Sequence, residues 1–165
     1  AKDDKSYLRE VILFGSGVFG ETFLVEVIKI LDDYKESNQR INDYCIFLFS
    51  CIISALTEIK CDENSFIYGL YEKWLSLYLS SYSEQSKRRL LSSLEFLAIR
   101  YVLPVRNVQA YAKLILDKGD SRLLLVLLNT NNHQIISGKV CELFDVSKRI
   151  QCKGKPTCVS ANIAI

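Results

Sequence analysis

Three glycines at the spacing Gly15-x-Gly17-x-x-Gly20 are the sharpest chemical signature of this chain. They follow the apolar run VILF and precede a stretch, from Glu21 onward, whose apolar residues recur at helical spacing. Between a strand and a helix, glycines so placed permit a tight turn and let backbone N–H groups approach a phosphate held at the helix N-terminus. The remainder of such a unit is missing. A second strand should end in an acidic residue roughly 20 positions further on. The run from Cys45 to Phe49 ends instead in Ser50 and merges with a helical pattern. The preferred reading is a flexible glycine corner between two helices. A cofactor-binding loop of a nucleotide enzyme, built on Gly15, Gly17 and Gly20, is the alternative.

No nucleophile pairs with a base elsewhere. His133 is the only histidine, so a Ser-His-Asp or Cys-His site would have to use it. It falls at the start of a predicted helix, where capping or solvent exposure accounts for it more simply. The carboxylate pairs Asp3-Asp4 and Asp32-Asp33 sit in polar surroundings with nothing to shift a pKa. The cysteines Cys45, Cys51, Cys61, Cys141, Cys152 and Cys158 include no CxxC pair, which leaves no metal-ligand spacing. No catalytic residue, cofactor or metal is expected, and the chain reads as a non-enzyme.

Cys45, Cys51 and Cys141 lie in apolar helical segments, where a free thiol behaves as a small hydrophobe. Reduced thiols imply an intracellular protein, cytoplasmic or nuclear, whereas pairing of the six would imply a secreted one. Cys152 and Cys158 could close a small loop. The charge is nearly balanced, 21 Lys plus Arg against 19 Asp plus Glu, which argues against a nucleic-acid or membrane-surface partner. Lys87-Arg88-Arg89, the densest basic group, reads as a solvated helix face. The most apolar segment, residues 42–59, is polar at both ends and carries Ser50 and Ser54, so its apolar core falls short of the ~18–20 residues a bilayer needs. It is expected to be a central buried helix, capped by Asn42 or Asp43.

Hydrophobic content of 49% with only two prolines, Pro104 and Pro156, favours helices over a sandwich of strands. The expectation is an all-α fold of about eight helices in one domain over residues 1–150. An irregular tail, 151–165, would then be disordered or docked through Val159, Ile163 and Ile165. In order, a short apolar segment 7–14 leads into the glycine corner, and a helix covers 21–34. After the central segment, an aromatic-rich helix spans 65–82, and Ser83 caps another over 84–103. The inner stripe of that helix is Leu90, Leu91, Leu94, Leu97 and Val102, with Pro104 at its stop. The aromatic series, with Tyr71, Trp74 and Tyr78 at helical spacing, reads as core or core-edge packing, and Trp74 as a possible binding anchor.

The stretch 107–148 carries the clearest internal punctuation. Asn107 caps a short helix that stops at Gly119, and Asp120 caps a second, 121–128, with six apolar residues in an unbroken run. Such a run, if helical, must be buried all round. Its LxxLL pattern at Leu124, Leu127 and Leu128 therefore reads as core. After an NTNN break, Asn132 caps a third segment with Ile135, Ile136, Val140, Leu143, Phe144 and Val146 mostly on one side. This succession resembles one armadillo repeat, and the helix starts near Asn42, Ser83 and Asn132 are spaced by about 40 to 50 residues, which fits successive helical repeats of the ~40–47-residue armadillo and HEAT kind. The glycine stretch GSGVFGETFLVEVIK also resembles a protein-kinase glycine-rich loop. Lys29 comes too early for that family's phosphate-binding lysine, however, and HRD and DFG are absent.

The armadillo resemblance implies a right-handed helical array serving as a scaffold for a peptide or helix of a partner protein. Its third helices line the groove. On this chain the family's groove Trp falls on Cys141 and its groove Asn on Asp145, so the usual ladder is not reproduced. The expected partner-binding face is His133, Ser137, Cys141 and Asp145, with Ser92 and Glu95 on the preceding unit. The alternative from a different class is a helical-bundle signalling protein, cytokine-like or apoptosis-regulator-like.

Overall fold

Apolar residues at three- and four-residue spacing, unbroken by proline, make every regular element among the described residues a helix. The computed structural model describes residues 2–33, 39–61 and 64–152, and no strand occurs among them. Eight helices follow in order: α1 (Lys2–Phe19), α2 (Glu21–Asp33), α3 (Gln39–Ala55), α4 (Asn64–Ser80), α5 (Glu84–Arg100), α6 (Val105–Lys118), α7 (Ser121–Leu128) and α8 (His133–Cys152). The fold is all-α. The backbone groups into two compact units, 1–107 and 108–165, divided inside α6. Of the expected tail, Gln151 and Cys152 complete α8, and the rest lies outside the described residues.

In the first unit α3 is the central element. Cys45, Ile46, Leu48, Phe49, Cys51, Ile52, Ile53 and Ala55 are all buried, so most of the helix's circumference is apolar and enclosed, while the strip of Phe47, Ser50 and Ser54 is left half-exposed. α1, α2, α4 and α5 all pack on it. Each close pairing joins helices adjacent or next-but-one in chain order, so α1, α3 and α5 form a row. That pattern is compatible with a helical repeat.

Polar groups fix the register of this row. Asn42 and Asp43, expected as caps, lie inside α3 instead and reach across the unit. The Asn42 amide donates to the Ser80 carbonyl at the end of α4, and Asp43 accepts from the Ser86 hydroxyl at 2.7 Å. Ser86 is itself held by the α5 cap, where Ser83 Oγ accepts its backbone N–H. The Asp43 carboxylate thus stands at the positive end of α5. At the other end of α3, Arg100 donates to the Leu56 carbonyl. Between α4 and α5, the Trp74 indole donates to the Leu90 carbonyl and the Tyr71 hydroxyl to that of Tyr101. Val102 lies beyond the end of α5 and is exposed, so the inner stripe stops at Ala98.

The glycine corner contracts to one residue. Gly15 and Gly17 belong to α1, and only Gly20, at φ 67°, makes the turn into α2. With no strand before them and their backbone in a continuous helix, these glycines offer no loop to cradle a phosphate. Gly15 serves packing: a Cβ there would come within 2.4 Å of the Phe23 ring on α2. Gly17 faces open space.

In the second unit Asp120 caps α7 as expected, its carboxylate accepting from Arg122 N and Leu123 N, and Gly119 takes the positive φ before it. Asn107 is not the cap of α6, which opens just after Pro104. Proline's fixed φ suits a helix start, and Asn107 N donates to the Pro104 carbonyl. α7 is not buried all round. Leu123 and Leu127 are covered, Leu124, Val126 and Leu128 are half-buried, and Leu125 is exposed. The turn that follows is held from within, Asn132 Nδ2 donating to Thr130 Oγ1 and Thr130 Oγ1 to the Leu127 carbonyl.

Two consequences can be measured. Gly17→Ala should stabilise the chain by about 0.5–1 kcal/mol through helix propensity, and Gly20→Ala should destabilise it by about 1–2 kcal/mol through its positive φ. Denaturant midpoints in the reverse order would place Gly17 outside a helix. Burial also lifts the Tyr71 phenol above its ordinary value of 10. Above roughly pH 10 the unfolded chain therefore releases a proton that the fold retains, so stability is full below that pH and declines above it. Melting temperature should fall as pH rises past about 10, and Tyr71→Phe should flatten that fall while costing about 1 kcal/mol at neutral pH.

Candidate docking surfaces on α1 and α8

α1 carries two apolar faces. Ile12, Gly15 and Ser16 are buried. Tyr7, Val11, Phe14 and Val18 stand 71%, 39%, 74% and 56% exposed. Their spacing of four, three and four residues confines them to an arc of roughly 60° at 3.6 residues per turn. This is the seam by which one helix receives another. Polar or charged residues would be expected on a helix face that only meets water.

The seam was hidden in the sequence by its glycines. A segment broken at Gly15 shows Tyr7, Val11 and Phe14 as part of one short apolar run. Only the uninterrupted helix aligns Val18 with them. Continuing the 3.6-residue period through Gly15 and Gly17 is the signal that finds it.

α8 presents the face expected from sequence. His133, Ser137, Cys141 and Asp145 are all exposed, one turn apart along the helix. Ser137 donates its hydroxyl to the His133 carbonyl, so it offers a partner chiefly shape and a lone pair. Cys141 is a free, exposed thiol, unlike the buried Cys45 and Cys51. Beside this face Phe144 is 48% exposed, with the Lys148 ammonium 5.2 Å from its ring centroid. Phe144, Leu143, Val146 and Ser147 also line one wall of a groove of about 660 Å³, opposite Gln109, Lys113, Leu116 and Asp117 of α6.

Helix lengths explain why α8 is bare. Its 20 residues extend about 30 Å and the 8 of α7 only about 12 Å, so α7 cannot cover it from end to end. Phe144 and Val146, grouped on the inner side by sequence, lie beyond that reach and keep substantial exposure, while Ile135, within it, is 38% exposed.

The remaining expected residues divide. Ser92 and Glu95 are exposed on α5 in the first unit. Trp74 has no exposed surface and stacks on Tyr78 with ring centroids 4.7 Å apart, so it belongs to the core and is out of a partner's reach in this conformation. Leu127 of the LxxLL pattern is likewise buried. Among the described residues no cluster of three or more His, Cys, Asp or Glu side chains forms, and no helix is long and apolar enough to cross a membrane.

No family model matches the chain, and no curated protein or solved structure shows significant similarity to it.

Thiol exposure gives a direct check on the α8 face. In the native protein Cys141 should react with an aromatic disulfide reagent well before Cys45 or Cys51, which should become reactive only on unfolding. Peptide mapping of the modified thiols would distinguish them, and early labelling of Cys45 would contradict the packing of α3.

Proposed function

We propose that this chain is a non-enzymatic interaction module that binds a helix or peptide of a partner protein, its helices arranged as an armadillo- or HEAT-type array. The single observation that carries the proposal is the α1 seam. Four large apolar side chains at heptad-like spacing on the outer side of an otherwise anchored helix cost solubility unless they are covered. The neighbour-only packing of α1 to α5 supports the array, since repeats stack on their sequence neighbours. On this reading α8 is a second contact surface, with Phe144 as its apolar anchor and Asp145 as its charge. The reading goes with reduced thiols and an intracellular setting.

The alternative, a helical-bundle signalling protein, draws support from α3, which is enclosed by four other helices as the central helix of a bundle would be. Quantifying thiols in the denatured protein separates the two settings, because paired cysteines favour the secreted version.

The binding reading can be tested with helical peptides selected from a displayed library against the intact chain. Phe14→Glu with Val18→Glu should weaken the selected peptides at least about tenfold, and Ser137→Arg with Asp145→Arg should do so for any that dock on α8. All four side chains are exposed, so far-UV circular dichroism should not change. Selected peptides that bind every variant as they bind the parent chain would remove both surfaces from consideration.

A further inference from the structure

We infer that a polar pocket on the α1–α3–α5 row is a binding site for a phosphate group. The pocket encloses about 270 Å³ and is lined by Arg9 of α1, by Phe47, Ser50, Cys51 and Ser54 of α3, and by Arg89 of α5. That volume lies just below the roughly 300–1,000 Å³ of sites that engulf whole drug-sized ligands. It suits a single tetrahedral oxyanion and part of what it is attached to.

Three helices contribute, and two of them each bring a guanidinium to the same opening. Arg9 and Arg89 make no ion pair with any carboxylate among the described residues. The contrast with the groove between α2 and α4 is informative. There Lys73 pairs with Asp32 at 2.9 Å and Arg106 with Glu72 at 3.3 Å, so the charges that rim it are already satisfied. Two like charges held together without a counterion repel one another, and an anion between them relieves the repulsion. Arg is the side chain whose planar fork matches phosphate oxygens two at a time.

The floor of the pocket carries no carboxylate. The Ser50 hydroxyl donates to the Phe47 carbonyl and that of Ser54 to the Ser50 carbonyl, so either must turn from its carbonyl to donate to a bound oxyanion, and the guanidiniums supply the attraction. Cys51, buried at the base, has its thiol pushed up by desolvation, and Arg9 and Arg89 are among the charges that oppose that rise. Both guanidiniums therefore project positive potential to the bottom of the pocket. The Lys5 ammonium, which does not line the pocket, lies 5.6 Å from the Phe47 ring centroid. The site lies in the first unit and does not depend on the docking surfaces.

The experiment titrates the intact chain at low ionic strength with three probes: inorganic phosphate, phosphoserine placed in a short neutral peptide, and the same peptide unphosphorylated. Binding is followed by calorimetry and by the shift in melting temperature. Saturable binding of phosphate or the phosphopeptide, weakened at least about tenfold by either Arg9→Gln or Arg89→Gln, is expected. A phosphopeptide that binds much more tightly than free phosphate identifies a phosphorylated protein segment as the source. Comparable affinities identify a small phosphate compound. Both arginines are exposed, so the variants should keep the parent melting temperature without ligand. Absence of saturation at about 10 mM phosphate, or binding that survives in the double variant or is matched by the unphosphorylated peptide, would overturn the assignment.

Discussion

A helix that is apolar over most of its circumference is stable in water only if other helices enclose it, and α3 imposes that requirement on the whole first unit. Phe49, Ile46 and Ile52 have no exposed surface. Truncating a buried side chain of that size typically costs ~2–5 kcal/mol, a large part of the stability of a chain this long. The neighbours that meet the requirement are all close in sequence. Loop-closure entropy is therefore small for each contact, and the row can assemble by successive local steps.

Hydrophobic enclosure alone would let the neighbours slide along α3. The polar ties prevent it. Asn42 holds the end of α4, Asp43 the start of α5, and Arg100 the end of α3. The arrangement has a cost as well, for Asn42 Oδ1 is buried without a hydrogen-bond partner. An unsatisfied buried acceptor gives up ~1–3 kcal/mol, and register is what it supports here.

A row closed in its middle leaves its outer surfaces with residues that the core does not use. The α1 seam and the arginine-lined pocket are of this kind. Both are built from side chains on helices anchored by buried residues, so the surfaces are rigidly presented. Rigid presentation lowers the entropy lost when a partner or ligand is fixed against them.

Local punctuation was readable with good fidelity. Ser83 and Asp120 cap the helices they precede, Gly119 makes its turn, and residues 42–59 cover most of the central helix, because caps and apolar periods act within one or two turns of chain. Residue types with two opposite local meanings were misread. Gly15 and Gly17 suggest a loop, yet a glycine in a helix costs only ~1 kcal/mol relative to alanine, which the packing of α1 on α3 outweighs. Asn42 and Asp43 look like caps, yet their partners lie about 40 residues away in α4 and α5.

The sequence by itself determined that the chain is helical, roughly where each helix lies, and which candidate residues on α8 face outward. Exposure could not be read in the same way. Phe144 differs from Ile136 only in whether a neighbouring helix is long enough to reach it, and the α1 seam differs from a core stripe only in having nothing against it. Only the tertiary structure decided those cases, because burial is a property of two surfaces and a sequence pattern describes one.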